Sequence, residues 1–408
     1  MRQSDQHLQV ALCSGVFVEH DGISASLGGR LELLQRLRAG GAPVRTNVYC
    51  RGSNIADPNV AVVDGVASLL LEPGFLRADV VCFELGIYYD LFDAIFALPD
   101  NAARIGVYHN ITPVELVPPE HLEDMQRSIR QRSNLARAHH IICISEYNRR
   151  DLLDIGIPPE STSVVPLPVP PRLAEAQLPR APRNPDLPIE LLYVGRLVRA
   201  KGVLDLLDAA LRLRGGNAPD FRLTMVFNES FSDAALVADL RRRMQREQLD
   251  RWLTLEPDAS DARLSELYRQ ADCFVIPSYH EGFCVPVIEA LTAYCPVIAS
   301  DAGNLPFILD GLGALFPVGN VDELAAALRR TLVERADAAR EARIAMVDTM
   351  RGKLRHHVWT DAVDRHLRGF SRARFEAGFL AAMSDALTAT GRSVPDWLSE
   401  AQSALRAM

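Results

Sequence analysis

Two carboxylates, Glu281 and Glu289, stand eight positions apart with Gly282-Phe283-Cys284-Val285-Pro286 between them. The apolar run Cys273-Phe274-Val275-Ile276-Pro277 ahead of them reads as a buried parallel strand. Pro286 suits the first turn of a following helix, where a missing N–H costs nothing. Strand, loop and helix in this order put Glu281, Gly282 and Phe283 at the carboxyl end of a strand, where open α/β sheets bind ligands. Backbone N–H groups from Gly282 to Val287, those of Phe283, Cys284 and Val285 among them, would face a phosphate or a sugar hydroxyl. Glu289 is expected in the first turn of the helix, accepting hydrogen bonds from hydroxyls of the same ligand. A carboxylate beside a phosphate site contacts hydroxyls, because like charges repel. The ligand so described is a diphosphate flanked by two polyols, as in a nucleotide-sugar. Two glutamates around a helix start also fit solvated residues in the helix's favourable dipole.

A second loop supplies the charge that a diphosphate needs. Ile189-Glu190-Leu191-Leu192-Tyr193-Val194 reads as a buried strand running into Gly195-Arg196-Leu197-Val198-Arg199-Ala200-Lys201-Gly202. Arg196 offers a planar fork for phosphate oxygens and Lys201 a mobile point charge, both at a strand's carboxyl end. Arg199 between them is expected to face solvent.

Glu281 and Glu289, with Gly282-Phe283 and Pro286 between, resemble the E-x7-E signature of retaining GT-B glycosyltransferases, and family 4 among them. Gly195-Arg196 and Lys201-Gly202 resemble that family's diphosphate clamp, with four residues between the two charges where the usual pattern has five. The resemblance runs over roughly residues 8–370. It implies that Glu281 and the amides of Gly282, Phe283 and Cys284 hold the donor hexose and phosphate, and that Glu289 holds the ribose. It also implies that Arg196 and Lys201 neutralise the departing diphosphate, which takes the acceptor proton on the same sugar face. Glu281 then orients the sugar and is not a nucleophile. No D-x-D motif stands in a suitable loop, so no essential metal and no cofactor are expected. Phe227-Asn228-Glu229 and Glu256-Pro257-Asp258 depart from the family near the nucleobase, which leaves UDP or GDP open.

The elements that position these loops are two successive β/α alternations. In the first half, Leu8 to Cys13 reads as a strand, followed by a helix from about Gly22 to Gly40-Gly41 with Ser24 as its N-cap. Gly22 lets the backbone approach a ligand closely, and Gly28-Gly29 are expected to pack against a strand. In the family this loop hangs over the donor diphosphate. Further strands are expected near Val44-Tyr49, Asp79-Phe83, Arg104-Tyr108, His140-Ile144 and Val164-Pro166. Glu84 just past a strand end reads as a helix-start or loop residue that could face the cleft. Tyr108-His109-Asn110 ends a strand, and His109 resembles the family's N-domain histidine that approaches the donor sugar. Arg127, Arg130, Arg132 and Arg137 on a helical stretch fit a solvated face or a basic surface for an anionic or lipid-linked acceptor.

The expected architecture is α/β, of GT-B type: two Rossmann-like doubly wound domains facing across a cleft, with C-terminal helices crossing back near Trp359. Residues 1–170 form the acceptor domain, 171–188 a Pro-rich stiff linker, 189–355 the nucleotide-sugar domain and 356–408 the closing helices on the first domain. Because His109 and Gly22 lie in one half and the phosphate clamp in the other, a reactive complex requires closure about the linker. Phe375, Phe379, Leu380 and Met383 recur at helical spacing, for packing or for an oligomer contact.

At 408 residues, two domains are the natural prior. A balance of 44 basic against 52 acidic residues argues against a nucleic-acid partner. Seven cysteines without a C-x-x-C pair read as buried small hydrophobes of a reducing cytosol. With no signal peptide and no membrane-spanning run, the expected place is the cytoplasm, with peripheral association at the inner face of the membrane. The expected activity is retaining transfer of a hexose from a UDP- or GDP-sugar to a glycan or lipid-linked acceptor in envelope or exopolysaccharide assembly. The alternatives are a GT-B nucleotide-sugar epimerase and a non-catalytic nucleotide-sugar-binding subunit.

Overall fold

The computed structural model of the protein describes residues 7–19, 21–170, 187–344 and 359–407. The chain divides into two compact units: unit 1 holds Met1–Pro168 with Ser371–Met408, and unit 2 holds Val169–Phe370. Most of the proline-rich stretch, 171–186, lies outside the described residues, as does the 355/356 boundary.

Unit 1 is built on parallel strands β1 (Leu8–Cys13), β2 (Val44–Cys50), β3 (Val60–Val62), β4 (Val80–Leu85), β5 (Ala103–Tyr108), β6 (His140–Cys143) and β7 (Thr162–Val164). They lie in the order β3-β2-β1-β4-β5-β6-β7. Chain order reverses between β1 and β4, the switch point of a doubly wound fold. β4 and β5 are buried along their whole length, which is why they read as continuous apolar runs. An aromatic chain, Tyr49-Phe75-Phe83-Phe92-Tyr89, fills one face of the sheet with ring centroids 5.2–6.5 Å apart.

Helix α1 (Gly22–Ala39) follows β1. Its N-cap is Asp21, whose side chain accepts from the Ser24 amide, and not Ser24 as the sequence suggests. The aspartate three residues earlier caps the helix one turn sooner, and Ser24 Oγ instead accepts from Val18 N. Gly28 packs on Phe17 of a short strand, but Gly29 packs on Phe375 of a helix, 3.1 Å from an added Cβ. The last strand ends at Val164, two residues before the expected Pro166.

Among the further helices of unit 1 are α2 (Leu122–Gln131) and, after the chain returns from unit 2, α3 (Arg372–Ala389). Phe375, Phe379, Leu380 and Met383 of α3 are buried within unit 1, so its apolar face is covered by the unit's own sheet. Ion pairs bind α3 to α1, Arg36 to Glu376 at 2.6 Å and Arg372 to Glu32 at 2.6 Å. Gly378 sits where a Cβ would come within 2.7 Å of Val165. The chain leaves unit 2 after Phe370, so Trp359, whose Nε1 donates to Leu312 O, belongs to unit 2 and precedes the crossing.

Unit 2 repeats the plan with β8 (Ile189–Val194), β9 (Phe221–Phe227), β10 (Leu253–Pro257), β11 (Cys273–Ile276), β12 (Val297–Ser300) and β13 (Ala314–Phe316), all parallel. Their order is β10-β9-β8-β11-β12-β13, so the switch point falls between β8 and β11. Helix α4 (Val203–Arg214) buries Val203, Leu206, Leu207, Ala210 and Leu213 at helical spacing. Helix α5 (Val285–Thr292) follows β11. The GT-B architecture expected from the sequence is present as two doubly wound parallel sheets.

Candidate functional site

The two loops that leave the switch point of unit 2 are those that carry the candidate residues. After β8, Gly195 to Val198 lead into a single 3-10 turn, Arg199–Lys201, closed by Gly202 in the left-handed region at φ 64°. A Cβ on Gly202 would lie 2.0 Å from the Pro277 carbonyl oxygen, so only glycine lets the first loop pass under the second. Tyr279 N donates to Ala200 O at 2.8 Å and ties the loops again. Tyr193, buried beneath, donates its hydroxyl to Arg196 O at 2.9 Å and fixes the turn's backbone.

Lys201 and Glu281 meet here. Lys201 Nζ lies 2.7 Å from Glu281 Oε1, with the two side chains 16% and 8% exposed. Ser278 Oγ donates to the same carboxylate oxygen at 2.8 Å. Burial, reinforced by Glu281, pushes the Tyr193 hydroxyl and the Cys284 thiol well above their ordinary values. Both therefore stay protonated, and Cys284 is no thiolate nucleophile. The Arg196 side chain is exposed and makes no ion pair among the described residues, as does Arg199.

Cys284 caps α5 with φ 74° and ψ 71°, a left-handed conformation that a residue with a Cβ adopts only at a cost of about 1–2 kcal/mol. The turn swings the chain from Gly282-Phe283 into the helix, with Pro286 in its first turn and Val285 as its first residue. Gly303, at φ 54°, lies where a Cβ would strike Glu281 O at 2.4 Å, and Asn304 Nδ2 donates to Phe283 O. The segment after β12 thus braces the Glu281 loop from behind.

Glu289 differs from expectation. It is the fifth residue of α5, just past the first turn where the sequence suggests it, and is 1% exposed. Tyr268 donates to its Oε2 at 2.8 Å. The helix begins at Val285 because Cys284, in its left-handed conformation, cannot be its first helical residue.

In unit 1, Gly22 opens α1 with no atom within 4 Å of an added Cβ, leaving its backbone open to approach. His109 follows β5, its amide donating to Leu85 O and its ring Nε2 2.5 Å from Glu84 Oε2. Glu84 is not a loop residue: it is the fifth residue of β4, 1% exposed, with Oε1 2.7 Å from Arg30 Nη1. Sequence reasoning missed this connection, although a carboxylate inside a strand buried on both faces signals a buried cation. The arginine series is divided. Arg132 pairs with Asp151 at 2.5 Å, Arg127 stacks 3.7 Å over Tyr88, and Arg137 lies by Phe96.

All seven cysteines are buried and free. Among the described residues no helix is long and apolar enough to cross a membrane, and no group of three His, Cys, Asp or Glu side chains could hold a metal.

A doubly wound pair with a lysine–glutamate contact at the second switch point defines a GT-B protein. Two adjoining family models match the chain, Glycosyltransferase Family 4 over residues 31–173 and Glycosyl transferases group 1 over residues 175–346. The chain belongs to the GT-B glycosyltransferases of family 4. It is 32% identical to an MMP α-(1→4)-mannosyltransferase of Mycolicibacterium hassiacum over 50% of this chain and 46% of that one. It is 27% identical to the O-antigen chain mannosyltransferase B of Escherichia coli over 58% of this chain and 63% of that one. The matches thus span about half to two thirds of those relatives. An Anabaena protein solved in complex with UDP and glucose shares the fold, with a TM-score of 0.63 and 17% identity over 93% of this chain and all of that one.

Proposed function

We propose that the protein is a retaining glycosyltransferase that moves a hexose from a UDP- or GDP-sugar to a glycan or lipid-linked acceptor in envelope or exopolysaccharide assembly. The observation that carries this reading is the contact of Lys201 Nζ with Glu281 Oε1 at 2.7 Å, at the carboxyl ends of β8 and β11. An ammonium has three donors, and one is directed at Glu281. The other two, with the exposed fork of Arg196, are suited to the oxygens of a diphosphate leaving group. Glu281, held by Lys201 and Ser278, is suited to hydroxyls of the hexose.

In this reading charge on the departing diphosphate is neutralised by Arg196 and Lys201, the electrostatic task that a metal performs elsewhere, and no essential divalent ion takes part. The diphosphate accepts the acceptor's proton on the face from which it leaves, so the anomeric configuration is retained. Gly282, Phe283, Cys284 and Val285 offer backbone to the sugar and phosphate, Glu289 serves the ribose, and His109 serves the donor sugar. The mannosyltransferases among its relatives support a hexosyl donor, and the O-antigen enzyme supports an envelope role.

Product analysis tests the proposal. Purified protein incubated with UDP- and GDP-hexoses and candidate acceptors should yield a glycosylated acceptor with the donor's anomeric configuration by NMR. An epimerised sugar with free nucleoside diphosphate, an inverted product, or tight nucleotide-sugar binding without turnover would each overturn it.

A further inference from the structure

Arg30 of α1, Glu84 of β4 and His109 after β5 form a buried line within unit 1 that no requirement of the sheet explains. Arg30 is wholly buried, and all its hydrogen bonding passes through Nη1, to Ser26 Oγ at 2.5 Å and Glu84 Oε1 at 2.7 Å. Its Nε and Nη2 are buried with no hydrogen-bond partner. The guanidinium instead lies against two rings of α3, 5.0 Å from the centroid of Phe375 and 5.5 Å from that of Phe379. A cation held this way is costly unless a negative charge answers it, and Glu84 is the carboxylate that Arg30 meets. With Oε1 given to Arg30, Oε2 receives His109 Nε2. Gly86 makes the approach feasible: a Cβ there would lie 3.2 Å from His109 Cβ and 2.5 Å from Ile23. Asn110, at φ 81°, turns the chain away directly after the imidazole.

We propose that Glu84, locked by Arg30 and the α3 aromatic rings, is a positioning residue that holds His109 as the Nε2–H tautomer and leaves Nδ1 as a hydrogen-bond acceptor for a donor-sugar hydroxyl. A carboxylate can only accept, so Nε2 must donate to it, and in a neutral imidazole the other nitrogen then carries the lone pair. The C-terminal helix thereby acts on the reaction through Arg30, although none of its residues is placed in the site. The role of His109 toward the sugar rests on the function proposed above.

Glu84→Gln separates this arrangement from simple packing, because it keeps shape and removes one acceptor. Arg30 has only donors, so the glutamine carbonyl must face it. The amide nitrogen then faces His109 and donates to Nε2, which drives the ring proton to Nδ1. ¹⁵N-histidine NMR of the full chain, with the signal assigned by His109→Ala, should show Nε2–H in the wild type and Nδ1–H in Glu84→Gln. Turnover should fall about 10- to 100-fold while the affinity for the nucleoside diphosphate stays within about twofold. An Nδ1–H ring in the wild type, an unchanged tautomer in Glu84→Gln, or wild-type turnover with an inverted tautomer would each overturn the proposal. Should Glu84→Gln fail to fold, a wild-type ring that is Nδ1–H or doubly protonated at neutral pH would still overturn the proposal. The spectra need no donor, so a wild-type protein that transfers no sugar would refute the proposed function and leave the tautomer assignment to be judged separately.

Discussion

Replacing Lys201 by alanine should have two separable effects, one on stability and one on turnover. The lysine is the ion-pair partner of Glu281 among the described residues, with side chains 16% and 8% exposed. Breaking a fully buried pair costs about 3–5 kcal/mol, chiefly because the remaining charge is left uncompensated. Here Ser278 still donates to Glu281, and Lys201 keeps some contact with solvent, so a loss of about 2 kcal/mol is expected. The protein should remain folded. Turnover should drop by about two orders of magnitude or more, since one preorganised charge on a leaving group contributes on the order of 3 kcal/mol to the transition state. Lys201→Ala/Glu281→Gln distinguishes the effects: the neutral amide should recover about 1 kcal/mol of stability relative to Lys201→Ala, while turnover should fall further still. Urea unfolding and initial-rate kinetics on the two single variants and the double variant read both quantities. A folded Lys201→Ala protein with near wild-type turnover would refute the clamp, and additive stability losses would refute the ion pair.

Gly202→Ala should cost about 3 kcal/mol or more in urea unfolding and abolish nucleotide binding, because a side chain at φ 64° also meets the Pro277 carbonyl at 2.0 Å. Phe379→Ala should destabilise the protein by about 3–5 kcal/mol, since the ring is fully buried in unit 1. A near-neutral result would mean that α3 is dispensable there. Burial, opposed by Asp385, holds the His140 imidazole below its ordinary 6.5. The unfolded chain therefore takes up the proton first, and stability present above pH 6.5 is lost as pH falls below it. Thermal midpoints from pH 7.5 to 5 should fall less steeply for His140→Gln than for the wild type. Transfer activity should persist in excess EDTA, and loss restored by magnesium or manganese would overturn the metal-free reading.

Much of the fold was legible because the strands carry little but apolar side chains. Both faces of β4, β5 and β11 are buried, so their runs stand out between turn residues. The loops at the second switch point were legible for a related reason: Gly195-Arg196 and Lys201-Gly202 combine phosphate chemistry with glycines in one short segment. What escaped depends on three-dimensional encounter. Arg30, Glu84 and His109 are 54 and 25 positions apart, on three elements, with no spacing rule to join them. The left-handed Cys284, which sets the helix start at Val285 and so leaves Glu289 as its fifth residue, occupies a conformation usually reserved for glycine, and nothing in the residue type announces it. Asp21 and Ser24 are both cap-forming residues three positions apart, and residue type alone does not choose between them.

The central claim, that the loops after β8 and β11 bind a nucleoside diphosphate through Lys201, is tested most directly by calorimetry. UDP and GDP would be titrated beside UMP and GMP into the wild type and into folded Lys201→Ala. In the wild type the diphosphate of the preferred base should bind at least about tenfold more tightly than its monophosphate, a difference of about 1.4 kcal/mol. In Lys201→Ala that advantage should shrink to about threefold or less. Equal affinities in the wild type, or an undiminished advantage in the variant, would contradict the account.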